Sequence, residues 1–212
     1  MAADTLALLI EINADLQRVA AISNHLIFTV ASFLWWDPSS DKLNDSICDL
    51  FRIKKKTLTE TNLGKEMKRS AFRVFSALAA TDEDIRKRII ETDNLMDLLV
   101  ISLHETENVK LQMAAVGCLH SLSRSVQLLR TTFQDHPVWK PLISILESPN
   151  SSVECCVLAS STLCNLLLEF SPSKEPILDS GAIDLLCQLT HKFEPSLRLN
   201  GVWGLMVNIS NQ

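Results

Sequence analysis

An all-α fold, a right-handed solenoid of stacked helical repeats, follows from three features of this 212-residue chain. A small residue followed four positions later by a large apolar one recurs at Ala71/Phe75, Ala115/Leu119, Ala159/Leu163 and Gly201/Leu205. The copies lie 44, 44 and 42 residues apart, and a period of about 40–47 residues marks stacks in which each unit buries its apolar face against its neighbours. Hydrophobic residues make up 47 % of the chain and aromatics 6 %, with five glycines and no tyrosine. That composition suits packed helices better than a sheet sandwich, which calls for more β-branched and aromatic residues. About four units fit, and residues 1–212 read as one domain, because a stack of this kind has no internal boundary.

Along the chain, Leu16 to Ser23 reads as the end of an earlier third helix and His25 to Leu34 as a second helix, so 1–34 hold partial units. The stretch 35–66 is a polar and basic insert; its Lys54-Lys55-Lys56 run reads as a solvated loop, with a nuclear import signal as the alternative. The regular pattern occupies 67–212, resuming at Met67. A short amphipathic turn (Asp84 to Glu91) precedes a second helix at Leu95 to Leu103. Leu111, Ala114, Ala115, Cys118, Leu119 and Leu122 then draw one apolar stripe along a third helix.

The following unit repeats the order with Val126 to Phe133, Val138 to Leu146, and a stripe of Cys155, Leu158, Ala159, Thr162, Leu163 and Leu166. The last has Lys174 to Asp179, Ala182 to Leu189 and a helix through Gly201 and Leu205, where Asn208-Ile209 falls one residue late. Ser148-Pro149-Asn150 and Glu194-Pro195-Ser196 punctuate second and third helices, and Ser180-Gly181 supplies a left-handed break. One short and two longer helices per unit is the armadillo arrangement, not the two-helix HEAT arrangement.

Several functions are disfavoured by the same residues. A formal charge of −5 argues against a nucleic-acid surface, which needs clustered Lys and Arg. The longest nearly apolar stretch, Leu26 to Trp36, is too short to span a bilayer. No secretory signal opens the chain, so cytoplasm and nucleus are the expected compartments. The cysteines at 48, 118, 155, 156, 164 and 187 form no CxxC pair, and those at 118, 155, 164 and 187 sit in apolar helical patterns as small hydrophobes. The five histidines keep no ligand-like interval, so no metal or other cofactor is expected. No phosphate-binding loop, nucleophile elbow or paired-carboxylate site points to an enzyme.

The strings DEDIRKRIIET (Asp82 to Thr92), HSLSRSVQLLRTTFQDHPVWKPL (His120 to Leu142) and ASSTLCNLLLEFSPSKEPILDSGA (Ala159 to Ala182) resemble the armadillo-repeat scaffold subunits of CTLH (GID-type) E3 ubiquitin ligases. A weaker likeness runs through Ala2 to Leu6 and Leu16-Gln17-Arg18. It matches the middle of a longer family chain, as a central fragment or truncated form would. The resemblance implies a non-catalytic scaffold that links a substrate receptor to the ligase core for ubiquitin-dependent degradation. Its implied partners are other ligase subunits including that receptor, without nucleic acid, membrane or small-molecule substrate.

Armadillo solenoids present their third helices on the concave side, where a repeated Asn pairs the backbone of an extended peptide and a Trp packs its side chains. The Asn positions here hold Ala77, Ser121, Asn165 and Val207; the Trp positions hold Arg73, Gly117, Ser161 and Trp203. One Asn and one Trp, in different units, disfavour the importin- or catenin-like peptide adaptor, which stands as the alternative, and favour a folded partner. The candidate protein-binding residues are therefore Arg69, Arg73, Ser121, Arg124, Asn165 and Trp203. The three arginines are read as solvated or paired within the stack, or as a basic stripe that meets acidic groups of another subunit.

Overall fold

The computed structural model describes residues 2–35 and 57–209, which form fourteen helices and no strand. A lone helix α1 (Ala2–Ile12) comes first, and four three-helix units follow. The first is α2 (Ala14–Ile22), α3 (Asn24–Leu34) and α4 (Thr57–Leu78); the second is α5 (Glu83–Ile90), α6 (Leu95–Leu103) and α7 (Val109–Leu122). The third is α8 (Val126–Arg130) with the one-turn α9 (Thr132–Asp135), then α10 (Trp139–Glu147) and α11 (Val153–Leu166). The fourth is α12 (Lys174–Asp179), α13 (Ala182–Thr190) and α14 (Pro195–Ile209). Third helices pack in series, α1 on α4, α4 on α7, α7 on α11 and α11 on α14, and each second helix lies on its own third helix. This is the α-solenoid that the period implies.

Local chemistry sets the breaks. Asp82 and Ser125 cap first helices through the amides of Ile85 and Leu128, while Asn108 and Ser152 cap third helices through Leu111 and Cys155. Each side-chain oxygen satisfies an amide that the first helical turn leaves unpaired. Between first and second helices the chain turns through Gly181 at φ +85° and Asn94 at φ +53°, residue types that tolerate the left-handed region.

One assignment is corrected at the amino end. Leu16 to Ser23 is not the end of a third helix: α2 is the first helix of its own unit, and α1 is the preceding third helix. The break between them is Asn13, extended at φ −137°, whose side chain accepts from the amides of Asp15 and Leu16. Helix α4 begins at Thr57, inside the stretch read as insert. Lys54-Lys55-Lys56 and Cys48 lie outside the described residues.

The recurring small and large residues have a packing cause. Phe75, Leu119 and Leu163 are fully buried, as are Ala71, Ala115 and Ala159. A Cβ added at Gly201 would lie 2.8 Å from the Leu186 carbonyl oxygen and 2.9 Å from the Thr190 nitrogen. The small position is thus where α14 crosses the backbone of α13. Leu205 packs on the core but stays half-buried. Cys187, expected inside, is exposed on α13. Leu8, Leu9 and Ile12 on α1 and Trp203 and Met206 on α14 are exposed, whereas Ile10 is buried.

A polar ladder along the third helices as candidate interface

Polar side chains link successive third helices at nearly one period. Ser76 donates to the Gly117 carbonyl at 3.0 Å and shares a 3.1 Å hydrogen bond with Ser121. His120 Nε2 lies 3.0 Å from Ser161 Oγ, and Asn165 Nδ2 donates to Ser123 Oγ at 3.0 Å. Asn200 Nδ2 donates to Ser160 Oγ at 2.8 Å and to the Val157 carbonyl at 3.2 Å. Buried polar groups need such partners, and here the partner is always one unit away, so the ladder fixes register between units.

At the amino end the rung is ionic. Asp4 of α1 accepts from Arg69 Nη2 at 3.1 Å, Arg73 Nη1 at 2.9 Å and Ser70 Oγ at 3.0 Å; Arg69 Nε also donates to Glu66 at 2.8 Å. Arg69 and Arg73 therefore share a face, as their spacing implies, and that face is turned to a carboxylate of the same chain.

Arg124 lies in the turn after α7, not on a third helix. Its Nη1 donates to the Ala80 carbonyl at 2.7 Å, beyond the end of α4. Arg86 is buried at the same place, its Nε donating to the Ala79 carbonyl at 2.8 Å. Gln17 Nε2 donates to the Ala77 carbonyl at 2.6 Å. Two cations and an amide thus satisfy the carbonyls at the negative end of one helix dipole.

Among the six candidates, Ser121 is buried, Asn165 is half-buried with its amide already donated, and Trp203 stands half-exposed on α14. The structure brings Arg69 and Arg73 together on Asp4, places Ser121 and Arg124 in the contact between the first and second units and Asn165 in the next, and leaves Trp203 half-exposed on α14. Sequence reasoning missed Asp4, Gln17, Ser70, Ser76, Arg86, His120, Ser161 and Asn200. Polar pairs recurring 40–45 residues apart were the available signal for the regular units. Asp4 and Gln17 pair across the 36–56 segment, at separations of 60–69 residues, where the period gives no guide.

Four of the thiols are poorly placed for chemistry. Burial pushes Cys155 up to about 11 and Cys164 up to about 12, and raises Cys118 and Cys156 as well. A thiol held protonated is a weak nucleophile. No group of three or more His, Cys, Asp or Glu residues among the described residues is placed to hold a metal ion, and no described helix is long and apolar enough to cross a membrane.

Acid should loosen the ladder in two windows. Burial raises the Asp4 carboxyl, but the Ser70 hydrogen bond and the charges of Arg69 and Arg73 outweigh it and hold it below its ordinary 3.8. Its stabilisation is therefore complete above about 3.8 and lost as pH falls through the lower folded value. His120 is pushed below its ordinary 6.5 by burial and by Arg124, so its contribution is complete above about 6.5 and declines below it. Urea melts should show Asp4→Asn costing about 1–3 kcal/mol at neutral pH, with the gap to wild type closing under pH ~3.8. A gap that stays constant down to pH 2 would remove the ionic rung from the stability balance.

No family model matches the chain. It is 53 % identical over 204 residues to Armadillo repeat-containing protein 8 of Pongo abelii, covering 96 % of this chain and 29 % of that protein. It is 35 % identical over 166 residues to GID complex subunit 5 of Schizosaccharomyces pombe, covering 78 % of this chain and 20 % of that protein. The chain thus spans under a third of the length of these relatives. A designed armadillo repeat protein superposes with a TM-score of 0.64 at 14 % identity, covering 97 % of this chain and 91 % of its own. An engineered protein superposes at 0.67 and 17 % identity, covering 99 % and 89 %. At such identities the superpositions speak for the fold, and 53 % identity over 96 % of its length makes this chain a homologue of a segment of Armadillo repeat-containing protein 8.

Proposed function

We propose that the chain is a non-catalytic scaffold segment of a GID/CTLH-type E3 ubiquitin ligase, linking a substrate receptor to the ligase core in cytoplasm and nucleus for ubiquitin-dependent degradation. The observation that carries this reading is its kinship with proteins named Armadillo repeat-containing protein 8 and GID complex subunit 5. The solenoid supports it, since a stack of units offers extended surface to several partners at once. The committed amide of Asn165 weighs against the peptide-adaptor alternative, which needs free asparagine amides in register. Trp203 and the exposed side of Arg124 are the candidate residues left with open surface for a folded partner.

The test is affinity capture from cell extract with the tagged 212-residue chain, quantifying GID/CTLH subunits against a designed armadillo protein as control. Selective enrichment, reduced several-fold by Trp203→Ala at unchanged melting temperature, is the expected result, Trp203 being half-exposed on α14. Enrichment of nuclear import factors without ligase subunits would reverse the assignment.

A further inference from the structure

On the side away from the ladder, second helices turn a stripe of residues to solvent. Those of α6 and its cap (Asp97, Ile101, His104), α10 (Lys140, Ser144, Glu147) and α13 and its cap (Asp184, Gln188, His191) are polar apart from Ile101, and the other residues that α13 exposes, Ile183 and Cys187, are not aromatic either. The same stripe on α3 carries Phe28, Ser32 and Trp35, with Phe28 75 % and Trp35 37 % exposed. The repeat does not require aromatics at these outward positions, because three of its four copies lack them. Large exposed aromatics beside a depression mark contact sites on protein surfaces.

The depression is there. A groove of about 450 Å³ runs between α3 and the end of α5, with Phe28 and Trp35 on one wall and Arg88, Glu91 and Asp93 on the other. Arg88 Nη1 donates to the Ala21 carbonyl at 2.7 Å and so ties α5 to the end of α2. Glu91 and Asp93 are exposed and form no ion pair among the described residues. The groove thus combines an aromatic wall with a net acidic lip.

We propose that this groove docks an amphipathic segment of a partner protein, with an aliphatic or aromatic side chain seated against Phe28 and Trp35 and adjacent Lys or Arg residues meeting Glu91 and Asp93. Charge complementarity selects a basic segment over an acidic one, because a second acidic group at the lip would meet two unpaired carboxylates. The site is independent of the ligase reading: it lies on the second-helix side and rests on none of the residues assigned there.

Two labelled amphipathic helical peptides with the same leucine stripe, one flanked by lysines and one by glutamates, provide the probe, read by fluorescence anisotropy on the full chain. The lysine peptide should bind and the glutamate peptide should not. Phe28→Ser should weaken binding about tenfold or more, and folding should survive because the side chain is mostly exposed. Glu91→Lys with Asp93→Lys should reverse the preference, whereas Glu147→Lys with Asp184→Lys on other units should leave it unchanged. Equal binding of both peptides, insensitivity to Phe28→Ser, or an equal response to the control pair would overturn the proposal. Self-association of the chain that disappears with Phe28→Ser would also overturn it, giving the groove to a second copy.

Discussion

Leu119→Ala should destabilise the stack by about 2–5 kcal/mol, the range for emptying a well-packed site that cannot collapse. Leu119 is fully buried on α7, the third helix packed between α4 and α11. The loss has two parts: the transfer free energy of the removed atoms, and the unfilled volume between helices whose spacing the serine and histidine rungs hold. Leu205→Ala, at the corresponding position of α14, should cost well under half as much, because that side chain is already half in solvent. Urea denaturation of the two variants checks the register directly. A cost below about 1 kcal/mol for Leu119→Ala would mean that the Ala/Leu signature does not mark the inter-unit core.

The period was legible because a stack repeats one contact many times. Each of Phe75, Leu119 and Leu163 meets the same surroundings, so selection for packing writes the same pattern at the same interval. Second helices were legible for a related reason: Leu95 to Leu103 has an apolar face long enough to specify a helix, and the structure returns those bounds. The amino end was less legible because α1 and α2 are separated by a single residue, Asn13, and helical periodicity runs on almost unbroken across so short a break.

Site residues were harder still, since a charged side chain in sequence carries no sign of its partner. Arg69 and Arg73 looked like half of an interface, and the other half is Asp4, on the far side of the 36–56 segment. Arg124 looked like a third-helix cation, and it seals the carbonyl end of another unit's helix. Asn165 shows the reverse: its residue type suits peptide binding, yet its environment spends the amide within the stack.

Gly201→Leu should release the last third helix. Substituting the glycine of a helix interior by a good helix former gains about 1 kcal/mol of propensity, and that gain competes with overpacking. An added Cβ at Gly201 falls under 3.0 Å from two backbone atoms of α13, and backbone cannot swing aside as a side chain can. Overpacking costs about 1–3 kcal/mol even where neighbours can adjust, so a leucine here must drive α14 off α13. Gly117 offers the contrast. Its added Cβ would meet only Ser76 Oγ, at 3.7 Å, an ordinary contact, so Gly117→Ala should stabilise by about 0.5–1 kcal/mol. Because each unit touches only its neighbours, the damage from Gly201→Leu should stay local: amide exchange should accelerate through α13 and α14 while α4 and α7 keep their protection. Uniform acceleration along the chain would instead show that the four units unfold as one cooperative body, and the nearest-neighbour account of this solenoid would fail.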